Sequence, residues 1–324
     1  MPATFDELSQ IMRTAQESRT LLTAVELDVF TAVGAGDTAA GVAARLSLNP
    51  RATEMLLNAL VALGALEKKD AVFHNTSETA RYLVAGSPDD TRQALMHVVN
   101  GWRLWSTLTD AVRTGTSMMP TVVEAQEPDR LRAFIAMMHK LGAANVGPFI
   151  AAVGAQDVRR LLDLGGGSGA YSIAFAQANE SLQAIVFDIP PVTEIASEHI
   201  AQAGLSDRIS TLGGDLLSGT FPGGNDLVLL SAIAHMFSET ENQNLFRACY
   251  QALVPGGRLA VREFILDPDK TSPRRAAMFS LNMLVSTRAG ASYSEDEYRQ
   301  WLLGAGFQSV TRPIPDGDIL IATR

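Results

Sequence analysis

LLDLGGGSGAY, residues 161–171, places four glycines within five positions directly after a short apolar run, with one carboxylate, Asp163, just ahead of them. A strand that ends in a glycine-rich turn and continues into a helix brings a ligand to the carboxyl end of a sheet, where side chains would otherwise hold it off. Several ligands share that arrangement. Gly165, Gly167 and Ala170 satisfy the looser dinucleotide pattern G-x-G-x-x-G/A, so an NAD reading stands beside any other. Asp163 weighs against it, because an acid close to a pyrophosphate repels it while the same acid suits a cation.

Outward from this stretch, short apolar runs alternate with helical patterns, which predicts a doubly wound parallel sheet. The predicted strands are 159–164, 183–188, 208–212, 226–231 and 258–264, and FQSVTRPIPDGDILIATR at the end reads as a terminal antiparallel hairpin around Pro-Asp-Gly. The expected fold is therefore α/β and Rossmann-like over residues 154–324. Ahead of it the pattern is helical. Apolar residues from Leu8 to Phe30 recur every three or four positions and predict two helices. A short helix from Thr38, a turn at Ser47–Pro50, a helix from Arg51 to about Leu63 and a hairpin around Asp70 then form a winged helix. Residues 1–100 are expected to be this mostly α unit, and 101–153 linking helices that contribute to a substrate pocket.

The chain has 324 residues, 47% of them hydrophobic and 19% charged, enough to bury two ordinary cores. A formal net charge of −9 argues against a general nucleic-acid binder, since affinity for phosphate backbones comes from clustered Lys and Arg. The would-be recognition helix, PRATEMLLNALVALG, has Arg51 as its only base and is apolar on most faces, a poor reader of a groove. A ligand-responsive regulator is thus the weaker alternative. Cys249 is the sole cysteine, with a packing role expected, and no metal site is indicated. The opening MPATFDELSQ carries acids where a signal peptide has bases, and no apolar run approaches the length of a membrane span. The expected location is the cytoplasm.

Two further acids fall at successive strand ends. Asp188, in IVFDIP, is placed to accept from both ribose hydroxyls of a nucleoside, which NAD and S-adenosylmethionine share. Asp215, in LGGDLL, is placed to accept from an exocyclic amine such as the adenine N6, with Leu216 as an apolar wall. Three spaced acids with no base among them favour S-adenosylmethionine, whose amino group and sulfonium are cationic. The bland alternative for each acid alone is a turn or loop cap.

A candidate base follows the strand DLVLLSAIA: His235, which should project from the carboxyl edge of the sheet. A phenol with a pKa of about 10 is a poor nucleophile until a neutral imidazole within hydrogen-bond reach takes its proton. Of the other histidines, His74 falls in the wing, His97 and His199 in amphipathic helical stretches, and His139 beside a possible pocket helix. Met118, Met119, Met137, Met138, Met278 and Met283 join Phe134, Phe279, Trp102 and Trp105 in helical segments, a composition that suits a flat aromatic guest and equally an ordinary core.

In the order DLGGGSG, FDIP, GDLL, AHMFSETEN, LVPGGRLAVREFIL and YSEDEYRQWLLGAGF, the chain resembles the class I S-adenosylmethionine-dependent O-methyltransferases of the plant caffeate and bacterial polyketide type. The resemblance spans nearly the whole chain. It implies a winged-helix dimerisation domain and a homodimer, a hydroxylated aromatic small molecule as acceptor, and S-adenosylmethionine held by Asp163, Gly165, Gly167, Asp188, Asp215 and Leu216. It further implies His235 as general base, Glu263 as the acid that orients its ring, and Phe237 as the aromatic that packs on adenine. Met138 matches a position that sandwiches substrate, and Phe134, Asn282 and Met283 are expected to join it. Two positions depart from the plant pattern. Ser231 stands where plant members have a cofactor-binding lysine, and Ser292 where they have a second glutamate. Glu297, close by, reads instead as half of a capping box with Ser294. These departures point to a bacterial branch. Within the family, N- or C-methylation and non-methylating chemistry remain alternatives.

Overall fold

The computed structural model describes residues 4–120 and 127–324. The chain divides into two units, Met1–Trp102 and Arg103–Arg324.

In the first unit Thr4 starts α1 (Phe5–Glu26) with a capping box: its hydroxyl accepts from the Glu7 N–H and the Glu7 carboxylate accepts from the Thr4 N–H. After α2 (Val29–Val33) come β1 (Asp37–Thr38), α3 (Ala39–Leu46) and α4 (Pro50–Ala62). Pro50 sits in the first turn of α4 behind an Asn49 cap, where its missing N–H costs nothing. β2 (Leu66–Lys69) and β3 (Val72–Asn75) form the expected hairpin, and β1 pairs with the other edge of β3. Two-residue β1 and the six-residue α5 (Ser77–Tyr82) are too short for periodicity to mark. Phe30, Leu57, Leu60 and Phe73 are almost wholly buried in this unit's core, each contributing about 1.5–3 kcal/mol of burial. Along α1, Phe5, Leu8, Ile11 and Met12 remain exposed.

The boundary between the units falls inside α6 (Arg92–Trp105), which is followed by α7 (Leu108–Thr114) and α8 (Pro128–Val153). Then the alternation begins: β4 (Arg160–Leu164), α9 (Ala170–Ala178), β5 (Gln183–Asp188), α10 (Pro190–Gln202), β6 (Ile209–Gly213), β7 (Asn225–Ser231), α11 (Glu239–Ala252) and β8 (Leu253–Arg262). After α12 (Arg274–Ser286) and α13 (Glu295–Ala305), β9 (Ser309–Thr311) and β10 (Ile319–Thr323) close the chain. The seven strands lie in the order β6-β5-β4-β7-β8-β10-β9, the first five parallel and β10 antiparallel to both β8 and β9. The winding reverses between β4 and β7, so the carboxyl ends of those strands open the crevice where doubly wound sheets bind ligands.

Side chains alternate across this sheet as the pleat requires. Leu161, Val186, Leu229 and Ala260 pack with Phe149, Phe175 and Ile200 on one face. Leu162, Leu164, Val228, Leu230 and Val261 pack with Phe246, Tyr298 and Trp301 on the other, together with Cys249, whose thiol burial pushes upward in pKa. β8 begins at Leu253 rather than 258: Asn225 pairs with Leu253 and Leu227 with Arg258, so the register shifts between Asn225 and Leu227 and the Val-Pro-Gly-Gly segment lies between the two pairs.

Candidate active site

Gly165 and Gly167 shape the crevice. Gly165 has φ +66, and a Cβ there would fall 2.3 Å from Ile233 Cδ1, so both its conformation and its closeness exclude larger residues. Gly167 has φ +56 and nothing within 4 Å of where its Cβ would stand: its side faces open space. Leu216 approaches Gly165 from the turn after β6, its Cδ1 3.5 Å from where that Cβ would stand.

The three predicted acids differ in their surroundings. Asp163 ends its side chain under the glycine turn, 1% exposed, accepting from the Ser172 hydroxyl at 2.8 Å. Burial, with Asp188 adding repulsion, pushes its pKa up to about 6. Asp188 accepts from the Gly167 and Ile189 N–H groups at 2.9 and 2.8 Å, and burial raises its pKa also. Asp215 lies exposed and accepts from the Leu217 N–H, capping a 3-10 turn at Leu216–Ser218. The turn alternative thus holds for Asp215 and in part for Asp188, which accepts from the N–H of the next residue, and each carboxylate keeps lone pairs beyond those contacts. The sequence has neither Lys nor Arg between Arg160 and Arg208. Two acids, Asp163 buried and Asp188 half-buried, an open glycine wall and a stretch without Lys or Arg suit a cationic nucleoside and not a pyrophosphate. S-adenosylmethionine fits these residues.

Across the crevice the chain leaves β7 at Ser231, half-buried and in register with Arg262. Ala232 then takes φ +58, a left-handed conformation that costs a non-glycine residue about 1–2 kcal/mol. The bend aims the N–H groups of Ile233 and His235 at Glu263 Oε1, at 2.8 and 3.3 Å. His235 Nδ1 lies 2.6 Å from Glu263 Oε2, and the Phe264 N–H donates to that oxygen at 3.3 Å. His235 and Glu263 are 7% and 3% exposed. A carboxylate that only accepts fixes the proton on Nδ1, which leaves the Nε2 lone pair free on the far side of the ring. Phe279 meets the imidazole edge-on with centroids 4.8 Å apart and stacks on Phe264 at 3.8 Å. Phe264 escaped the sequence reading, although its place directly after Glu263 was a usable signal. Phe237, half-buried, offers its carbonyl to the Tyr293 hydroxyl at 2.6 Å.

The predicted substrate residues do not form one wall. Phe134 packs with Val192 and Ile195 of α10, Met138 is half-buried on α8, and Met283 is buried on α12. Asn282 accepts from Trp105 Nε1 at 3.0 Å. Met118 and Met278 are 48% and 47% exposed, which removes them from any enclosed methionine lining. Ser292 is buried, its N–H donating to the Ser280 hydroxyl at 3.3 Å, and Ser294 with Glu297 forms the expected capping box of α13.

A sheet of this order, with a glycine turn at its reversal point and acids in place of bases, defines an S-adenosylmethionine-dependent methyltransferase. The comparisons agree. The O-methyltransferase domain model matches residues 105–308 and the O-methyltransferase dimerisation domain model matches residues 9–86. The chain belongs to the O-methyltransferase family. It is 36% identical over 303 residues to a 3-hydroxy-5-methyl-1-naphthoate 3-O-methyltransferase of Streptomyces sahachiroi, covering 91% of this chain and 87% of that one. The solved structure of PigF with SAH, a methyltransferase of a Serratia species, superimposes with a TM-score of 0.91 at 28% identity over 99% of both chains. Human N-acetylserotonin methyltransferase in complex with SAM gives a TM-score of 0.82 at 26% identity, over 100% of this chain and 99% of that one. Among the described residues no helix is long and apolar enough to cross a membrane.

Proposed function

We propose that this enzyme methylates a hydroxyl group on an aromatic small molecule, with His235 as the general base. The observation that carries the reading is the 2.6 Å contact between His235 Nδ1 and Glu263, which leaves Nε2 as the free acceptor. S-adenosylmethionine supplies a methyl carbon already activated by its sulfonium. The protein's task is then to align the acceptor, exclude water and remove one proton. His235 Nε2 takes that proton from the acceptor hydroxyl. Glu263 holds the ring in the required tautomer and stabilises the imidazolium that forms.

Phe279 and Phe264 give the imidazole an aromatic border on which a flat acceptor can pack. The naphthoate and acetylserotonin named for the relatives are aromatic too, in keeping with an acceptor of that class. Asp163, Gly165, Gly167, Asp188 and Asp215 are assigned to the cofactor, with Leu216, Ser231 and Phe237 around it, and Met138, Phe134, Met283 and Asn282 to the acceptor side. Residues 1–100 are read as the dimerisation part, 101–153 as linking helices and 154–324 as the catalytic part. Exposed Phe5, Leu8, Ile11 and Met12 on α1 support a homodimer, and its place of action is read as the cytoplasm.

Calorimetric titration with S-adenosylmethionine, S-adenosylhomocysteine and NAD tests the cofactor assignment. Binding of the first two without the third is the expected result. Tight binding of NAD, or of none, overturns it. A phenolic acceptor turned over equally well by His235→Ala removes the base assignment.

A further inference from the structure

Outside the His235 site, one cluster of titratable side chains joins two helices to the cofactor turn. His139, on α8 and adjacent to Met138, places Nδ1 2.8 Å from the hydroxyl of Ser168, the residue between Gly167 and Gly169. Ser168 is 4% exposed, so this bond is shielded from water. The imidazole of His199, on α10, stacks on His139 with ring centroids 4.3 Å apart and planes 16° from parallel. Burial holds both rings toward their neutral forms, and for His139 the neighbouring His199 acts in the same direction.

We propose that His139 is a positioning residue: through Ser168 it holds the Gly165–Gly169 turn in its cofactor-receiving shape, and the stacked His199 makes that hold sensitive to acid. The Ser168 bond survives one protonation, since imidazolium Nδ1–H still donates. Charging both rings is different, because two parallel imidazolium ions at this distance repel each other and drive α8 from α10. The surrounding charges do not relieve this. Glu198 on α10 favours a charged His199 but is held in a two-bond pair by Arg132 of α8, at 3.0 and 3.1 Å. Glu194 on α10 and Asp129 on α8 act on that arginine, Lys140 follows His139 on the exposed side of α8, and Asp188 meets the glycine turn from β5.

The inference rests on the glycine turn being the cofactor site, and the test separates the two. S-adenosylmethionine affinity is measured by calorimetry from pH 8 to 5.5 for the wild type, His139→Ala, His139→Gln and His199→Phe, with kcat and KM at each pH and thermal melting to confirm folding. At pH 8, His139→Ala is expected to bind about tenfold more weakly, a little over the worth of one hydrogen bond, with kcat at saturation nearly unchanged. His139→Gln recovers most of the loss. His199→Phe keeps a stacked ring without the second charge, so its affinity falls several-fold less than the wild type's on acidification. Any acid effect from Asp163 is common to both proteins and drops out of the comparison. Wild-type and His199→Phe profiles that superimpose, or a folded His139→Ala protein with wild-type affinity, overturn the proposal and leave the cofactor assignment standing. A wild type that binds no S-adenosylmethionine overturns both.

Discussion

His235 and His139 each place Nδ1 within 3 Å of an oxygen, at 2.6 and 2.8 Å, yet their companions are opposite in kind. His235 has a buried carboxylate on one edge and phenylalanine rings beside it, so a proton arriving at Nε2 meets a compensating charge. His139 has a neutral hydroxyl on one edge and a second imidazole on its face, so a proton arriving there meets a group that wants one too. The difference shows how the partner decides a histidine's use: the first arrangement suits an imidazole that gains and returns a proton at each turnover, the second a pair of rings that holds its shape only while at most one is charged.

The strongest way to break the contrast is at His235 itself. His235→Ala is expected to lower phenol methylation by about 10²–10⁴-fold while S-adenosylmethionine affinity stays at the wild-type value, read by initial rates and calorimetry. Glu263→Gln tests the partner. It removes the charge and brings an amide NH₂ against backbone donors, so a rate loss of about 10–10²-fold should accompany a stability loss of about 2–4 kcal/mol in denaturant unfolding. A full rate in this variant would show that the carboxylate's charge is idle.

The acids of the cofactor crevice sharpen the comparison from the other side. Asp163 has its pKa raised from 3.8 to about 6 in the folded protein. The folded state therefore holds its proton more tightly than the unfolded chain, and stability is lost as pH rises from about 4 to 6, on the order of 2–3 kcal/mol once the group is ionised. Asp163→Asn should raise the melting temperature of the ligand-free protein at pH 8 and weaken S-adenosylmethionine binding about tenfold. In the wild type, that affinity should decline as pH falls through about 6, because the protonated acid no longer attracts a cation. The smallest expected change is the difference between the wild-type and His199→Phe acid profiles.

Most of the sheet was legible in the sequence because the central parallel strands β4 and β7 are buried on both faces and read as apolar runs, as in Val228–Leu230, whereas the edge strand β6 is largely exposed. The glycine turn was legible for the same local reason. His235 and Glu263 could be named as partners only through the family resemblance; their contact joins residues 28 apart on neighbouring strand ends. What stayed hidden is tertiary. Nothing near Asp163 in the chain announces that Ser172, nine residues on in the first turn of α9, will occupy one of its oxygens. The His139, His199 and Ser168 cluster brings together two helices and a loop, and each residue alone looks like an ordinary surface or core position. Exposed Met278 on α12 illustrates the converse, since composition cannot say which side of a helix faces inward, and Met118, expected in a helical segment, lies in the bend after α7.

Glu263 receives three backbone N–H groups besides the imidazole, from Ile233, His235 and Phe264. Truncating the histidine therefore leaves the acid with donors on both oxygens and the strand ends still tied together. Chemistry and architecture come apart at this point in the chain. The same alanine variant becomes a capture reagent: a folded protein that retains both reactants without consuming them. Incubated with a small-molecule extract and S-adenosylmethionine, then washed and analysed by mass spectrometry, it would report the acceptor by its mass.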